Sequence, residues 1–325
     1  MIRVVGGGLS TTVQDAGRFG LYHLGVPPSG ALDGFSYRVA NMLVGNDEGA
    51  AVLEATYSGP TLECTGDALV AVTGAELPPR IDGDDRPQWE AFGVTAGQVL
   101  HFGYLGGGAR AYVAVAGGID VREVLGSRST YTLTGVGGHQ GRKLQEGDEL
   151  AVGEPSGRAR PGTRVAAAAW PTFSRELELR VMMGLCDYRL AADSAEQFLS
   201  TEWTITPEAD RVGYRYRGAE LRFAEREPPF GAGHDPSNVV DVGYPVGSIQ
   251  VPGGIEPILL LNDAVTGGGY ATIATVISAD LERAAQSKTN ERTRFRPVGL
   301  DEALEARAER RRRLEAVRAE LGAPF

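Results

Sequence analysis

Short apolar runs, rich in β-branched residues and separated by turn residues, recur along the chain. Examples are Leu69–Val72, Tyr112–Ala116, Ile258–Leu261 and Ile273–Ile277. The sequence also contains 45 Gly and 18 Pro, which interrupt these runs at short intervals. Runs of this length bounded by turn residues are typical of strands joined by tight turns. The pattern predicts a mainly β fold with a few helices.

The clearest helix of the first half is predicted over Ser29–Val44. It rests on a stripe of four apolar residues at helical spacing, Leu32, Phe35, Val39 and Leu43. Ser29 is predicted to lie near the N-cap, and the negative charge of Asp33 suits the positive, N-terminal end of the helix dipole. Gly45 is predicted to end the helix.

Three more helices are predicted in the second half, at Ala191–Thr201, at Ser278–Gln286 and at Asp301–Leu321. The last is highly charged and carries a small apolar stripe, Leu314, Val317 and Leu321. Its Arg310–Arg313 run fits either a solvated helix face or contact with an acidic partner, and the solvated face is favoured.

Residues 153–175 contain many helix and strand breakers and weak periodicity, which is typical of a linker or crossover. The predicted organisation is therefore a β domain at 1–152, a crossover at 153–175, a second β domain at 176–298 and a charged C-terminal helix at 299–325.

Charge and composition narrow the classes of function. A net charge of −10 argues against nucleic acid or an anionic membrane as the main partner. Cys64 and Cys186 are far apart in sequence, which favours two free thiols in a reducing compartment over a single disulfide. No apolar run approaches a membrane span, so we expect a cytoplasmic enzyme or enzyme subunit.

Common catalytic motifs are missing from the sequence. Lys143 and Lys288 are the two lysines, and neither lies in a Gly-x4-Gly-Lys-Ser/Thr loop for phosphates. The glycines of 135–141 have the wrong spacing for a dinucleotide loop, and there is no Gly-x-Ser-x-Gly elbow. The four histidines are scattered and no Cys-x-x-Cys pair occurs, so no metal is expected.

A long, specific pattern begins at Gln14-Asp15-Ala16-Gly17-Arg18-Phe19-Gly20 and continues through 25–33 and 40–46. Further matching segments follow in order at plausible spacing, at 53–54, 59–60, 116–119, 126–130, 141–148, 210–215, 247–252 and 268–277. Over about residues 8–296 the chain resembles the family that contains the C subunit of 5-oxoprolinase, the Kip antagonist and the carboxyltransferase region of urea carboxylase. Many members carry the older label allophanate hydrolase subunit 2.

The resemblance implies two cyclophilin-like β-barrel domains and a smaller Kip-inhibitor-like partner subunit, with or without a LamB-type subunit. In the oxoprolinase setting, the complex opens 5-oxoproline to glutamate with ATP hydrolysis. In the carboxylase setting, the module moves a carboxyl group from carboxybiotin to an amide nitrogen. We expect no cofactor bound by this chain alone, with ATP used by the complex or carboxybiotin carried on another chain.

Three departures from the family pattern bear on the reaction. Neither lysine lies in a Met-Lys-Met-like turn, so biotin would have to arrive on another chain. Ala271-Thr272 stands where the family often has Pro-Lys, which removes a cation that could steady a carboxylate or oxyanion. The segment Asn262–Thr266 differs from the family's usual Ala-Asp-x-Gln-Thr. These departures imply either that the substrate differs from the usual substrate of the family or that the activity is reduced.

Ten polar residues are the candidate site. The predicted catalytic set is Asp263, Arg211, Tyr270 and Glu54, and the predicted substrate-binding set is Gln14, Asp15, Arg18, Asp33, Asn41 and Arg128. The arginines suit anion binding, the carboxylates suit acid–base or amide-orienting roles, and the amides and Tyr270 suit substrate orientation.

Each of these residues also has a structural interpretation. Asp33 could serve a helix N-terminus, Asn41 could lie on the polar face of that helix, and Asp15 could pair with Arg18 across a turn. Arg211 and Asp263 lie in polar, glycine-flanked segments, so the sequence predicts that the fold tolerates their loss.

The leading hypothesis is an amide-hydrolase or carboxyltransferase subunit that is active only with a partner. Two alternatives stay open: a regulatory protein that sequesters a kinase inhibitor, and a small-molecule-binding barrel without catalysis.

Overall fold

The protein is mostly β with four helices in this computed structural model, which describes residues 1–227 and 229–322. Its residues form two compact units. Unit 1 contains Met1–Arg18, Ser29–Phe173 and residues 311–322, and unit 2 contains Phe19–Pro28 and the described part of Ser174–Arg310. Of the predicted crossover 153–175, residues 153–173 lie within unit 1 and residues 174 and 175 within unit 2. The short segment 19–28 also lies within unit 2.

Unit 1 is built from two antiparallel sheets. Its strands are β1 (Ile2–Gly6), β2 (Ser10–Gln14), β3 (Val52–Thr56), β4 (Thr61–Cys64), β5 (Ala68–Gly74), β6 (Arg80–Ile81), β7 (Asp84–Asp85), β8 (Ala91–Val94), β9 (Val99–His101), β10 (Arg110–Val115) and β11 (Glu149–Leu150). One sheet has the order β11-β1-β4-β9-β6-β7 and the other β2-β3-β10-β5-β8. Apolar residues from both sheets share one core, for example Val4 and Leu62 with Leu53 and Val113.

Helix α1 (Gly34–Leu43) covers the other face of the five-stranded sheet. The predicted apolar stripe is confirmed, since Leu32, Phe35, Val39 and Leu43 are all buried. Phe35, Val39 and Leu43 share a second core with Val52 and Tyr112 of the sheet.

The predicted start of α1 at Ser29 is wrong. Ser29 has φ 52°, which places it in the left-handed region, so the chain is not yet helical there. The N-cap is Asp33, whose Oδ1 accepts a hydrogen bond from the Ser36 amide at 3.0 Å. A short polar side chain one position before the first helical residue satisfies an amide that has no intrahelical partner.

Unit 2 contains a closed barrel of seven strands. Its strands are β12 (Glu176–Met183), β13 (Trp203–Ala209), β14 (Gly213–Arg217), β16 (Ser248–Gln250), β17 (Ile258–Leu260), β19 (Thr272–Val276) and β20 (Arg292–Pro297). They close in the order β12-β19-β16-β17-β14-β13-β20. Strands β15 (Asn238–Gly243) and β18 (Gly267–Tyr270) form a separate two-stranded ribbon. The mainly β prediction is confirmed.

Two predicted helices of unit 2 are present, α2 (Ala192–Ser200) and the shorter α3 (Leu281–Ala285). Helix α4 (Leu300–Leu321) matches the predicted charged tail, and its residues Leu314 and Val317 are buried in the core beside α1.

Across the described residues, no helix is both long and apolar enough to cross a membrane. Cys64 and Cys186 are buried free thiols.

Candidate functional site

A row of buried polar side chains crosses the five-stranded sheet of unit 1 beneath α1. Thr12 on β2 lies opposite Glu54 on β3, Glu54 lies opposite Tyr112 on β10, and Tyr112 lies opposite Thr73 on β5. Thr73 Oγ1 donates to the carbonyl of Ser36, which joins the row to α1 at 2.7 Å. Because side chains alternate along a strand, this row lies on the α1 face of the sheet, opposite the core that the two sheets share.

Glu54 and Tyr112 together hold the segment that leads into α1. Glu54 Oε2 accepts from the Tyr112 hydroxyl at 2.9 Å and from the Leu32 amide at 3.0 Å. The Tyr112 hydroxyl in turn accepts from the Asp33 amide at 2.8 Å. Burial raises the pKa of Tyr112 well above its usual range, so its hydroxyl stays protonated. Arg110 Nε lies 3.8 Å from Glu54 Oε1 in the same buried region.

Asp15 organises the loop that follows β2. Its carboxylate accepts from the Ser127 hydroxyl at 2.6 Å, the Ser129 hydroxyl at 2.5 Å and the Arg128 amide at 2.5 Å. It also accepts from the Gly17 amide at 2.8 Å. A carboxylate held by so many donors fixes the path of both loops, 15–18 and 127–130.

Arg18 and Gln14 extend this cluster, and both are buried. Arg18 Nη2 donates to the carbonyl of Ser129. Gln14 Nε2 donates to the carbonyl of Thr130 at 3.1 Å. At Gly137 an added Cβ would lie 2.1 Å from the Ser129 carbonyl oxygen and 2.6 Å from Arg18 Nη2, so only glycine fits. The sequence offered a pairing of Asp15 with Arg18 across a turn. In these contacts both residues instead form hydrogen bonds with Ser129.

Two other predicted binding residues are engaged in local structure. Asn41 Nδ2 donates to the carbonyl of Ala50 at 2.9 Å, which ties α1 to the segment before β3. The Arg128 guanidinium, which is partly exposed, contacts Glu123 Oε1 at 2.5 Å and Asp120 Oδ1 at 3.5 Å.

Arg211 and Asp263 form a salt bridge in unit 2. Arg211 Nε and Asp263 Oδ2 are 2.8 Å apart, and a second contact from Nη2 to Oδ1 measures 3.3 Å. Asp263 is buried and Arg211 is 12% exposed. The prediction that the fold tolerates loss of either residue therefore concerns a largely buried ion pair, and breaking such a pair is usually destabilising.

Tyr270 is exposed at the end of β18, and its backbone is held by Tyr244. The Tyr244 hydroxyl accepts from the Tyr270 amide at 2.7 Å and donates to the Tyr270 carbonyl at 3.0 Å. Burial raises the pKa of Tyr244. The Tyr270 side chain can therefore contact a ligand while its backbone stays in place.

The predicted site omits several residues of these clusters, among them Tyr112, Tyr244, Ser127 and Ser129. Ser127 and Ser129 lie in the family-like segment 126–130, so a signal existed for them. Tyr112 lies inside an apolar run, and nothing in the sequence indicated that its side chain belongs to a polar cluster. Among the described residues, no group of three or more His, Cys, Asp or Glu side chains could hold a metal ion.

Comparison with known proteins identifies the relatives of the chain. The family model described as carboxyltransferase domain, subdomain A and B, matches residues 24–297. The chain is 36% identical over 318 residues to the C subunit of 5-oxoprolinase from Escherichia coli (strain K12), a match that covers 97% of each chain. It is also 34% identical over 305 residues to urea amidolyase of Saccharomyces cerevisiae, covering 90% of this chain and 16% of that protein.

A solved structure shows the same architecture. The crystal structure of the K. lactis urea amidolyase superimposes with a TM-score of 0.91 at 31% identity. The match covers 97% of this chain and 20% of that one, so it concerns one region of a much larger protein.

Proposed function

The chain belongs to the carboxyltransferase domain family, subdomains A and B, and on that premise we propose that it is a subunit of a 5-oxoprolinase-type amide hydrolase. The reaction proposed for the complex is the ATP-dependent opening of 5-oxoproline to glutamate. The proposed partner is a Kip-inhibitor-like subunit, with a LamB-type subunit as a further component.

The observation that carries this proposal is the extent of the similarity. The chain matches 97% of the C subunit of 5-oxoprolinase, whereas it matches 16% of the yeast urea amidolyase. A relative that corresponds along nearly its whole length supports the same place in an assembly more strongly than one region of a larger enzyme.

The second candidate reaction is carboxyl transfer from carboxybiotin to an amide nitrogen. The TM-score of 0.91 against the K. lactis urea amidolyase favours it as the alternative. Since neither lysine resembles a biotin-attachment site, the proposal places carboxybiotin on another chain.

Within this chain, we assign substrate contact to the partly exposed groups. Arg211, held by Asp263, is the proposed site for a substrate carboxylate, and Tyr270 is the proposed contact for the amide. Glu54, Asp33, Asp15 and Gln14 are buried, and we assign them to positioning the loops rather than to proton transfer. ATP binding is assigned to another subunit because the sequence has no phosphate-binding lysine loop.

Reconstitution tests the proposal. The chain is purified alone, with a Kip-inhibitor-like subunit, and with that subunit plus a LamB-type protein. Glutamate release from 5-oxoproline is measured with and without ATP, and biotin-dependent carboxylation of urea is measured in parallel. We expect ATP-dependent glutamate release from the full set and negligible turnover by the chain alone. Robust carboxylation without ring opening would establish the second candidate instead.

A further inference from the structure

Two arginine side chains of unit 2 converge on one backbone oxygen. Arg189 Nη2 donates to the carbonyl of Asn238 at 3.3 Å and also to the carbonyl of Pro236. Arg226 Nη2 donates to the same carbonyl of Asn238. We call Arg189 and Arg226 the arginine pair. Because both guanidiniums contact a single oxygen, two positive charges are neighbours at the start of β15.

The backbone brings the arginine pair together. Leu190 and Phe223 form an antiparallel bridge, and the Ala224 amide donates to the carbonyl of Arg189 at 2.9 Å. Arg189 lies next to one end of this bridge, and Arg226 follows the other end by three residues. The convergence therefore follows from the pairing of two chain segments and does not depend on side-chain rotamers alone.

The arginine pair differs from the other arginines of unit 2 in its surroundings. Arg189 is 8% exposed and Arg226 is partly exposed. Among the described residues, neither guanidinium forms an ion pair with an Asp or Glu, and the flanking Glu225 and Glu227 are exposed. The other partly buried arginines described in this unit each pair with a carboxylate; they are Arg180, Arg211, Arg215, Arg296 and Arg310.

The charge of the pair is incompletely compensated. Carbonyl oxygens carry only a partial negative charge, while two neighbouring guanidiniums repel each other. Arg226 Nε is in addition a buried donor without a hydrogen-bond partner among the described residues. A buried charge without a counter-charge, and a donor without an acceptor, both destabilise a fold. The component that would satisfy both is an acceptor with negative charge.

We propose that the arginine pair binds a doubly charged tetrahedral oxyanion, a phosphate or sulfate group. Guanidinium donors match the spacing of phosphate oxygens, and a dianion balances both positive charges, whereas one carboxylate balances one of them. Because Arg226 is partly exposed, the ion reaches the pair from solvent, and rotation of that side chain turns Nε towards it. The site shares no residue with the Arg211–Asp263 pair and does not depend on the proposed function.

The oxyanion site is connected to the strand that carries Tyr270. Asn238, whose carbonyl accepts from both arginines, lies opposite Tyr270 in the β15–β18 ribbon. The Ala271 amide donates to the Ser237 carbonyl at 2.9 Å, which adds a second link. A bound dianion removes the repulsion between the two charges that hold Asn238. We therefore expect the ion to stabilise the ribbon on both of its strands.

Binding to the purified full chain tests the site without a partner or ATP. Inorganic phosphate, sulfate, methyl phosphate and acetate are titrated by calorimetry at about pH 8, where phosphate is mainly a dianion, with chloride keeping the ionic strength constant. We expect phosphate and sulfate to bind and acetate to bind at least about tenfold more weakly. Hydrogen exchange followed by mass spectrometry should slow in 236–243 and 267–271 when phosphate is present.

Substitutions locate the site. Arg226→Gln removes one charge, and we expect phosphate affinity to fall about tenfold or more and the slower exchange to disappear. Arg222→Gln is the matched control, because Arg222 lies four residues earlier, is exposed and pairs with Asp193. It should bind phosphate as the unsubstituted chain does. Arg226→Lys keeps the charge without the guanidinium, so it tests the site even if the Gln variant does not fold, and it should bind phosphate at least about threefold more weakly.

The outcomes are distinct from those of reconstitution. No binding of phosphate or sulfate at constant ionic strength, acetate binding as tightly as phosphate, or equal binding by the Arg226 and Arg222 variants overturns the inference; in the last case phosphate is an adventitious ion only. Methyl phosphate that binds as tightly as phosphate assigns the site to phosphate esters, and weaker binding assigns it to the free ion, and either result supports it. Release of glutamate by the complex, or its failure, leaves these results unchanged.

Discussion

At the scale of single residues, Asp148 shows how unit 1 stabilises a carboxylate. Arg142 contacts both of its oxygens, at 2.7 and 2.8 Å, and the Gln145 amide donates to it at 2.8 Å. The Arg142 hydrogen bonds, assisted by the Gln145 amide and by His139, lower the pKa of Asp148 from 3.8 to about 2. The charged form is therefore stabilised by the fold.

This pKa difference predicts acid sensitivity. A carboxyl with a lower pKa in the folded state adds stability above its unfolded pKa and loses it as pH falls through the folded value. We expect about 2 kcal/mol of stability to be lost between about pH 4 and pH 2 through this group. Asp148→Asn should lower the free energy of unfolding at pH 7 by a similar amount. In urea unfolding experiments it should also make that free energy depend less on pH between about pH 4 and pH 2. An unchanged profile would contradict the assignment.

The buried pair Arg211–Asp263 predicts a different kind of loss. Asp263→Asn removes the buried carboxylate that pairs with Arg211, and we expect the free energy of unfolding of unit 2 to fall by roughly 3 kcal/mol. The control is Glu256→Gln, since the Glu256–Arg215 pair is more exposed and exposed pairs contribute less than about 1 kcal/mol. Urea unfolding followed by fluorescence measures both. Equal effects from the two substitutions would show that burial of the pair is unimportant.

At the scale of elements, α4 is an anchored helix rather than a solvated tail. Arg318 contacts Glu48, and these hydrogen bonds lower the pKa of the Glu48 carboxyl. The Arg313 guanidinium lies 4.0 Å from the centre of the Phe35 ring. Arg310, in the arginine run expected to be a solvated face, pairs with Glu282. Arg311, Arg312 and Arg313 are exposed, so most of the run forms the solvated face that the charge pattern predicted.

The buried stripe of α4 predicts a measurable contribution to stability. Val317→Ala removes two buried methyl groups from the core shared with α1, and we expect a loss of roughly 1–3 kcal/mol. Glu309→Ala, on the exposed side of the same helix, should change stability by less than about 0.5 kcal/mol. Thermal unfolding of the two variants compares them directly. If Val317→Ala melts like Glu309→Ala, the end of α4 is not docked.

At the scale of the whole molecule, the proposed activity requires a second polypeptide. The sequence contains neither a phosphate-binding lysine loop nor a biotin-attachment turn, and on the proposed function we expect a partner to supply these parts. We expect a co-expressed Kip-inhibitor-like subunit to co-elute with this chain in size-exclusion chromatography and to bury well over about 1,000 Å² in total. Separate elution at micromolar concentration would contradict this.

The sequence by itself determined the fold class and the helices, because those depend on local periodicity. The stripe Leu32–Leu43 and the stripe of α4 are recurrences over a few residues, and the short β-branched runs carry the strand signal in the same way. The helix start was misplaced by five residues because Ser29 and Asp33 are both good capping residues, and only the backbone conformation at Ser29 distinguishes them.

Tertiary structure alone decided which polar residues are buried and which of them meet. Glu54 faces Tyr112 because β3 and β10 pair in a particular register, and Gln250 faces Thr272 for the same reason on β16 and β19. These partners are 58 and 22 residues apart, so no local pattern relates them. A polar residue in a glycine-flanked segment looks the same in sequence whether its side chain is buried in a salt bridge, as that of Asp263 is, or exposed, as that of Tyr270 is.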